Sequence, residues 1–291
     1  MESNEGTVAR LWRKAVDLAQ IVLAHNLPKV AASLTYFTVL SLLPALIVVV
    51  ALLGIIGLSS DAVHTLLDTL GDAGAPWAAE FISDALDSVV TSQSSGVVLI
   101  VSLLGSLWAA SAYVGAFTWA SDTIYGVTRR LPFWKGLPLR VALALLLLAL
   151  LTVGAAVIAL VGPFGEWLVD LTGIGTGPLQ LWAWIKWPLL IGLGLLLFTV
   201  LYRFTPSRRQ PALWKLLPGA AAGVGLWILA SAGFSVYLDH FASYNRVYGT
   251  LGAGVAFLVW AWIMNLALLV GVELNREIEE RRGSLASRPG V

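Results

Sequence analysis

Ser111, Gly115, Thr118, Asp122 and Tyr125 recur at i, i+4, i+7, i+11 and i+14. On a helix that spacing keeps them within about 40° of one line. Trp108 lies near the same face. The stripe stands in an almost uncharged stretch, so it must face other helices or water rather than lipid, because polar groups are costly in hydrocarbon. Two roles are open to Asp122: an ion pair with Arg129 or Arg140, or a place on an ion or substrate path. A second polar group is Asn265, followed by Gly271-Val272-Glu273-Leu274-Asn275-Arg276. Glu273 and Asn275 point about 160° apart on a helix, so they need different partners. Glu273 either neutralises a basic loop residue or couples to protons.

Two further segments carry polar chemistry. Ser33, Thr35, Tyr36, Thr38 and Ser41 precede Pro44, and the strictly apolar run Ala45–Leu53 follows. Pro44 removes one helical hydrogen bond and is expected to kink its helix. A polar half joined to an apolar half suits a cavity, and equally suits helix packing through hydroxyls. The stretch from Asp239 to Gly252 holds Tyr244, Asn245, Arg246 and Tyr248, with Gly249 and Gly252 permitting a tight turn. It reads as a short loop dense in aromatic and hydrogen-bonding groups.

Catalytic constellations are missing from the pattern. The histidines are His25, His64 and His240, far apart and without a close ligand pattern for a metal. No Gly-rich phosphate loop, nucleophile elbow or Ser/Cys–His arrangement occurs. A net charge of +1 gives no basic nucleic-acid groove. An enzyme, a metal centre, a bound cofactor and a nucleic-acid partner are therefore not expected.

The elements that must hold these residues follow from the charge. Of 291 residues, 58% are hydrophobic and 12% are charged, about half the charge of a soluble domain. Uncharged runs cover Val30–Ser60, Ser88–Ser121, Val141–Gly165, Leu216–Leu238 and Val247–Val272, with a shorter one at Trp187–Tyr202. About 20 apolar residues cross a bilayer core as a helix, and these runs lack the alternation of a barrel strand. The expected architecture is all-α and polytopic. Its six transmembrane helices are Val30–Leu58, Val97–Tyr125, Val141–Gly162, Leu179–Tyr202, Leu216–Leu238 and Thr250–Leu274. Small residues at Gly219, Ala222, Gly223, Ala230 and Gly233 predict close helix contact in the fifth.

Orientation follows from the basic residues. Sixteen of the eighteen Lys and Arg lie before span one, after spans two and four, and after span six. The segment between spans one and two has none, yet holds Asp61, Asp68, Asp72, Glu80, Asp84 and Asp87. Basic residues stay cytoplasmic, which predicts cytoplasmic N and C termini. Lys186, among Trp182, Trp184 and Trp187, reads as a snorkelling lysine in an outer aromatic belt. Trp12, Trp134 and Trp214 would mark the inner belt. Residues 1–29 form a cytoplasmic amphipathic segment, with a helix over Thr7–Ala24 lying on the inner leaflet. Residues 30–275 form the membrane domain, in which 59–95 is an outer helical hairpin or, alternatively, a solvated acidic loop. Residues 276–291 are expected to be a disordered cytoplasmic tail.

The chain also resembles a known family. Ala31–Gly54 (AASLTYFTVLSLLPALIVVVALLG), Gly96–Tyr125, and Leu217–Asn275 with LLPGA, FSVYLDHFASYN, YGTLGA and GVELN in order are similar to the YihY/BrkB family of bacterial inner-membrane proteins, once named ribonuclease BN. The resemblance covers nearly the whole chain. Tyr36, Pro44, Asp122, Tyr125, Pro218, Tyr244, Asn245, Tyr248, Gly249, Gly252, Glu273 and Asn275 fall on its motifs. It implies a six-helix protein of the bacterial plasma (inner) membrane, surrounded by membrane lipids, with a transport role for a lipid, an envelope component or another small solute. The cavity or path would be lined by Tyr36, Pro44, Ser111, Thr118, Asp122, Tyr125, Tyr244, Asn245, Arg246, Tyr248, Gly249, Gly252, Asn265, Glu273 and Asn275. The alternative is a non-transporting scaffold or lipid-organising protein whose polar residues only hold the bundle together. The oligomeric state is left open.

Overall fold

A computed structural model describes residue 20 and residues 26–55, 95–128, 133–159, 177–241 and 245–286. The expected amphipathic segment over 7–24 and the hairpin over 59–95 lie outside these residues. Among the described residues the chain is all-helical. The helices are α1 (Leu27–Ile55), α2 (Ser95–Ile124), α3 (Phe133–Ala159), α4 (Gly177–Phe204), α5 (Leu213–Phe241) and α6 (Asn245–Ala286). Each overlaps one of the expected spans. Four hold a stretch long and apolar enough to cross a membrane: Gly136–Val157, Trp184–Phe204, Leu213–Phe234 and Gly254–Arg282. α1 and α2, with 29 and 30 residues, also have sufficient length.

Local chemistry sets the helix ends. α2 stops at a Schellman motif: Gly126 adopts φ 65°, Val127 N–H donates to the Asp122 carbonyl and Gly126 N–H to that of Thr123. α4 stops at Phe204 because Pro206 disfavours helical geometry in the residue before it. Asn26, at φ 52°, opens α1, its carbonyl accepting from Lys29 and Val30. α1 runs unbroken through Pro44. Pro138, Pro188 and Pro218 likewise sit inside α3, α4 and α5, which bundle neighbours make tolerable in a membrane.

Two expected boundaries move. The stretch 245–252, read as loop, forms the first turns of α6; Gly249 and Gly252 lower helix propensity by only about 1 kcal/mol each. The tail does not begin at 276, since α6 continues to Ala286. Charge pairs one turn apart support that extension: Arg276 with Glu280 and Arg281 with Glu277.

α6 packs on α5, α1 and α2, while α3 joins α2, α1 and α4, and α4 returns to α5. The starts of α1, α3 and α5 and the ends of α2, α4 and α6 share one end of the bundle. That end carries Lys29, Arg140, Arg203, Arg208, Lys215 and Arg276, and is called the basic end below. The buried core gathers there: Leu27 and Leu34 of α1, Val114 and Phe117 of α2, Ala144 of α3, Leu201 and Tyr202 of α4, Leu216 and Val224 of α5, and Leu269 and Val272 of α6. Outward faces are apolar instead of polar, as Leu151, Val153, Leu229 and Val255 are all at least half exposed. Apolar surface of that extent needs a lipid solvent or a partner.

Close approach fixes the α4–α5–α6 contact. A Cβ on Gly271 would lie well under 3.0 Å from the Tyr202 hydroxyl and the Gly219 carbonyl, and one on Gly219 would strike the Gly271 carbonyl and Asn275. Only glycine lets these backbones meet. Of the small residues of span five, Gly219 and Gly223 are used in this way, whereas a Cβ on Gly233 would meet nothing within 4 Å. The ring of Tyr202 fills the junction, stacked on Phe117 at 6.4 Å between centroids, while its hydroxyl donates to the Leu268 carbonyl at 2.8 Å.

Candidate functional site

Asp122 is the buried charge of α2, only 1% exposed. Its hydrogen bonds among the described residues run to Ser207. Its Oδ1 accepts the backbone N–H of Ser207 at 2.7 Å, and its Oδ2 accepts the Ser207 hydroxyl at 2.6 Å. Ser207 belongs to the turn between α4 and α5, which Pro206 and Pro211 keep out of helix. Charge-assisted bonds of this kind are roughly twice as strong as neutral ones, so the turn is pinned to α2. Arg129 lies outside the described residues. Arg140 of α3 is close by, its guanidinium lying along Gly115 and Gly136, where a Cβ on either glycine would stand 3.1 and 3.6 Å from it.

Asp122 and Arg140 line a common cavity of about 120 Å³. Among the described residues, Gly115, Thr118 and Trp119 of α2, Gly136, Leu139 and Leu143 of α3, and Phe204 to Ser207 also line it. The volume holds several water molecules or one small polar group. Its chemistry is divided. Asp122, Thr205 and Leu143 are buried, whereas Trp119, Leu139 and Phe204 are 46%, 41% and 42% exposed. An acid, a base and hydroxyls thus sit behind a rim of exposed apolar rings and chains.

Not every expected residue joins this cavity. Thr118 and Asp122 do, and Gly115 of the same stripe with them. Ser111 is buried higher on α2. Trp108 and Tyr36 are 68% and 65% exposed, on the outside of the bundle, because their positions on α2 and α1 face away from the core residues Val114 and Leu34. Tyr244 lies outside the described residues. Pro44, Asn245, Arg246, Tyr248, Gly249 and Gly252 are placed by backbone alone, Pro44 in α1 and the others in the first turns of α6.

Tyr125 lies under a different group. Arg208 stacks its guanidinium 4.4 Å from the Tyr125 ring and pairs with Glu279 of α6. The α4–α5 turn therefore bridges α2 and α6. Glu273, wholly buried, accepts from Nε and Nη2 of Arg276 at 2.9 and 2.6 Å. That arginine is one turn along the same helix. Asn275 clips α6 to α5, accepting the Gly219 N–H at 3.0 Å and donating to the Leu216 carbonyl at 3.1 Å. Glu273 and Asn275 do serve separate partners, as their angular separation requires.

Asn265 forms a separate polar centre. Its Oδ1 accepts the Tyr113 hydroxyl at 3.0 Å, and its Nδ2 donates to Thr38 Oγ1 and the Ala261 carbonyl at 3.0 and 2.9 Å. Thr38 in turn donates to the Leu34 carbonyl. One amide thereby ties α6 to α1 and α2. Asn265→Leu should lower the unfolding midpoint in detergent, costing about 1–3 kcal/mol, because it strands the buried Tyr113 hydroxyl. Adding Tyr113→Phe should recover most of that loss, since both partners are then apolar. Additive losses in the double variant would show that the two groups do not meet.

Ser207, Trp119, Leu139 and Phe204 were not foreseen as part of the site. The available signal was the Thr205-Pro206-Ser207 sequence, in which a proline holds a hydroxyl and a free N–H at a helix end. Among the described residues, no group of three or more His, Asp or Glu could hold a metal ion.

The chain has relatives. It is 27% identical over 266 residues to the ribonuclease-like protein YfkH of Bacillus subtilis, covering 89% of this chain and 92% of that one. It is 28% identical over 269 residues to a UPF0761 membrane protein of Xanthomonas oryzae, covering 91% of this chain but 58% of the relative. The UPF0761 membrane protein XAC0937 of Xanthomonas axonopodis is 28% identical over the same length, with 59% of it covered. The chain thus spans somewhat over half of its Xanthomonas relatives. No solved structure matches. The virulence factor BrkB family profile matches residues 18–290, nearly the entire chain, and to that family of membrane proteins the chain belongs.

Proposed function

We propose that the chain is a multi-pass protein of the bacterial inner membrane, with six membrane-spanning helices and both termini in the cytoplasm, that transports a lipid, an envelope component or another small solute. The observation that carries this reading is the cavity at the basic end, where buried Asp122 lies behind an exposed apolar rim. A buried carboxylate in a membrane domain is costly to keep, and a polar floor with an apolar rim matches an amphiphile better than a hydrated ion. The aromatic belts support the membrane placement: Lys186 lies 5.4 Å over the Trp187 ring on α4, and Lys215 lies 5.3 Å over Trp214 at the start of α5. A second reading, the non-transporting scaffold, draws on how completely Asn265 and Asn275 are hydrogen-bonded within the bundle.

Vesicle reconstitution decides between them. Full-length protein is inserted into vesicles carrying a fluorescent phospholipid, and the inner-leaflet probe is followed by an external quencher. Transport predicts that probe protected in empty vesicles becomes quenchable. Continued protection would favour the scaffold. A reporter fused after Val291 should read as cytoplasmic, and an external signal would overturn the orientation.

A further inference from the structure

We infer that the seam between the end of α2 and the α4–α5 turn binds water molecules, held by Ser121, Tyr125, Arg208 and Gln210, that join the two elements whether or not the chain transports. Among the described residues, six buried side-chain polar atoms have no hydrogen-bond partner. Five of them belong to this seam: Ser121 Oγ, Tyr125 Oη, Arg208 Nε, and both Oε1 and Nε2 of Gln210. The sixth, Trp227 Nε1, lies on α5, about four turns beyond the start of that helix. Helix geometry and the turn bring the four residues together. Ser121 and Tyr125, one turn apart, share a face of α2. Arg208 lies over the Tyr125 ring, and Gln210 follows it two residues on in the same turn. Ser121 and Gln210 are 0% and 6% exposed, so neither reaches bulk solvent.

Local bonding does not account for these atoms. Thr118, Thr123, Thr199 and Thr205 each donate their hydroxyl to the carbonyl four residues earlier, the usual solution inside a helix. Ser121 makes no such bond. Arg208 gives Nη2 to Glu279, which leaves Nε directed elsewhere. A buried donor or acceptor left unmet is costly, and native folds satisfy nearly all of them with protein or ordered water. The set in this seam is mixed. Arg208 Nε and Gln210 Nε2 donate, Gln210 Oε1 accepts, and the two hydroxyls do both. Water carries two donors and two acceptors, and so answers every one of them. A buried water makes about three hydrogen bonds, so about two molecules meet the five atoms. The turn is then held to α2 on one side by Asp122 and Ser207 directly, and on the other through water.

The test is water-edited solid-state NMR of the full chain, labelled in nitrogen, in lipid vesicles. Each side-chain signal is identified by its loss on substitution, as in Gln210→Met and Arg208→Lys; either one suffices if the other variant fails to fold. The Gln210 amide and Arg208 Nε should receive magnetisation from water about as fast as Nε of the exposed Arg209. Both should run well ahead of the Asn265 amide, which is 1% exposed and bonded to Tyr113, Thr38 and the Ala261 carbonyl. Build-up as slow as that of Asn265 overturns the inference, because the partners would then be protein. A second measurement turns on sign. Gln210→Leu should lower the unfolding midpoint in detergent, since it strips bound water of two partners. In a dry seam the same substitution removes two unmet groups and raises the midpoint, and that result also overturns the inference.

Discussion

Gly271→Ala should destabilise the bundle strongly, by about 3–5 kcal/mol. The added Cβ would enter the space of the Gly219 carbonyl and the Tyr202 hydroxyl. Overpacking a filled core costs about 1–3 kcal/mol when side chains can give way. Here one obstacle is backbone, and the other is held by its bond to the Leu268 carbonyl. Displacing that hydroxyl forfeits a buried hydrogen bond, worth another 1–3 kcal/mol or so once its partner is stranded. Against a total stability of about 5–15 kcal/mol, the variant should unfold at a markedly lower temperature in detergent or fail to accumulate. Gly225→Ala is the control. It lies on α5, and a Cβ there would meet nothing within 4 Å, so helix propensity alone should make it neutral or slightly stabilising. Equal behaviour of the two variants would mean that α5 and α6 do not cross at Gly219 and Gly271.

That contrast also marks what a reader of the sequence can and cannot extract. The helices were legible because a bilayer imposes a length and excludes charge, and the expected spans match α1 to α6 to within a few residues except where α3 starts earlier and α6 extends at both ends. α6 misled because charge was taken as the mark of its end. Arg276, Glu277, Glu280 and Arg281 pair within the helix, so the same charges that leave the apolar core continue the helix. Gly219 and Gly223 were readable as contact positions, but not their partners, because whether Gly271 meets Gly219 depends on the relative height of two helices.

The site was legible by half. The stripe spacing correctly put Gly115, Thr118 and Asp122 on one face, since it needs only helical geometry. The partner of Asp122 was sought among arginines because opposite charge is the obvious solution for a buried acid. Ser207, 85 residues away, supplies an N–H and a hydroxyl to the carboxylate, and no local spacing records such a meeting. Tyr36 is exposed for a related reason. A polar-looking helix half has two faces, and only Thr35 and Thr38 of that half reach Asn265.

Asp122 is where structure and transport can be separated. In Asp122→Ala the Ser207 N–H and hydroxyl lose their charged acceptor, at a cost of about 2–4 kcal/mol. The α4–α5 turn is then held chiefly by Arg208, through Tyr125 and Glu279. Asp122→Asn is gentler. The amide oxygen still accepts the backbone N–H, and the Ser207 hydroxyl can rotate to accept from the amide nitrogen, so stability should fall by no more than about 1 kcal/mol. The negative charge, however, is gone. If a substrate uses that charge, flux in vesicles should drop at least about tenfold in Asp122→Asn, while its unfolding midpoint and yield stay near those of the unaltered protein. Ser207→Ala completes the set: it keeps the carboxylate and its backbone bond, removes one donor, and should retain most flux. Asp122→Asn retaining full flux would reduce the carboxylate to a clamp for the turn. Parallel loss of flux and midpoint across all three variants would say the same, because a purely structural acid matters only through the bonds it makes to Ser207.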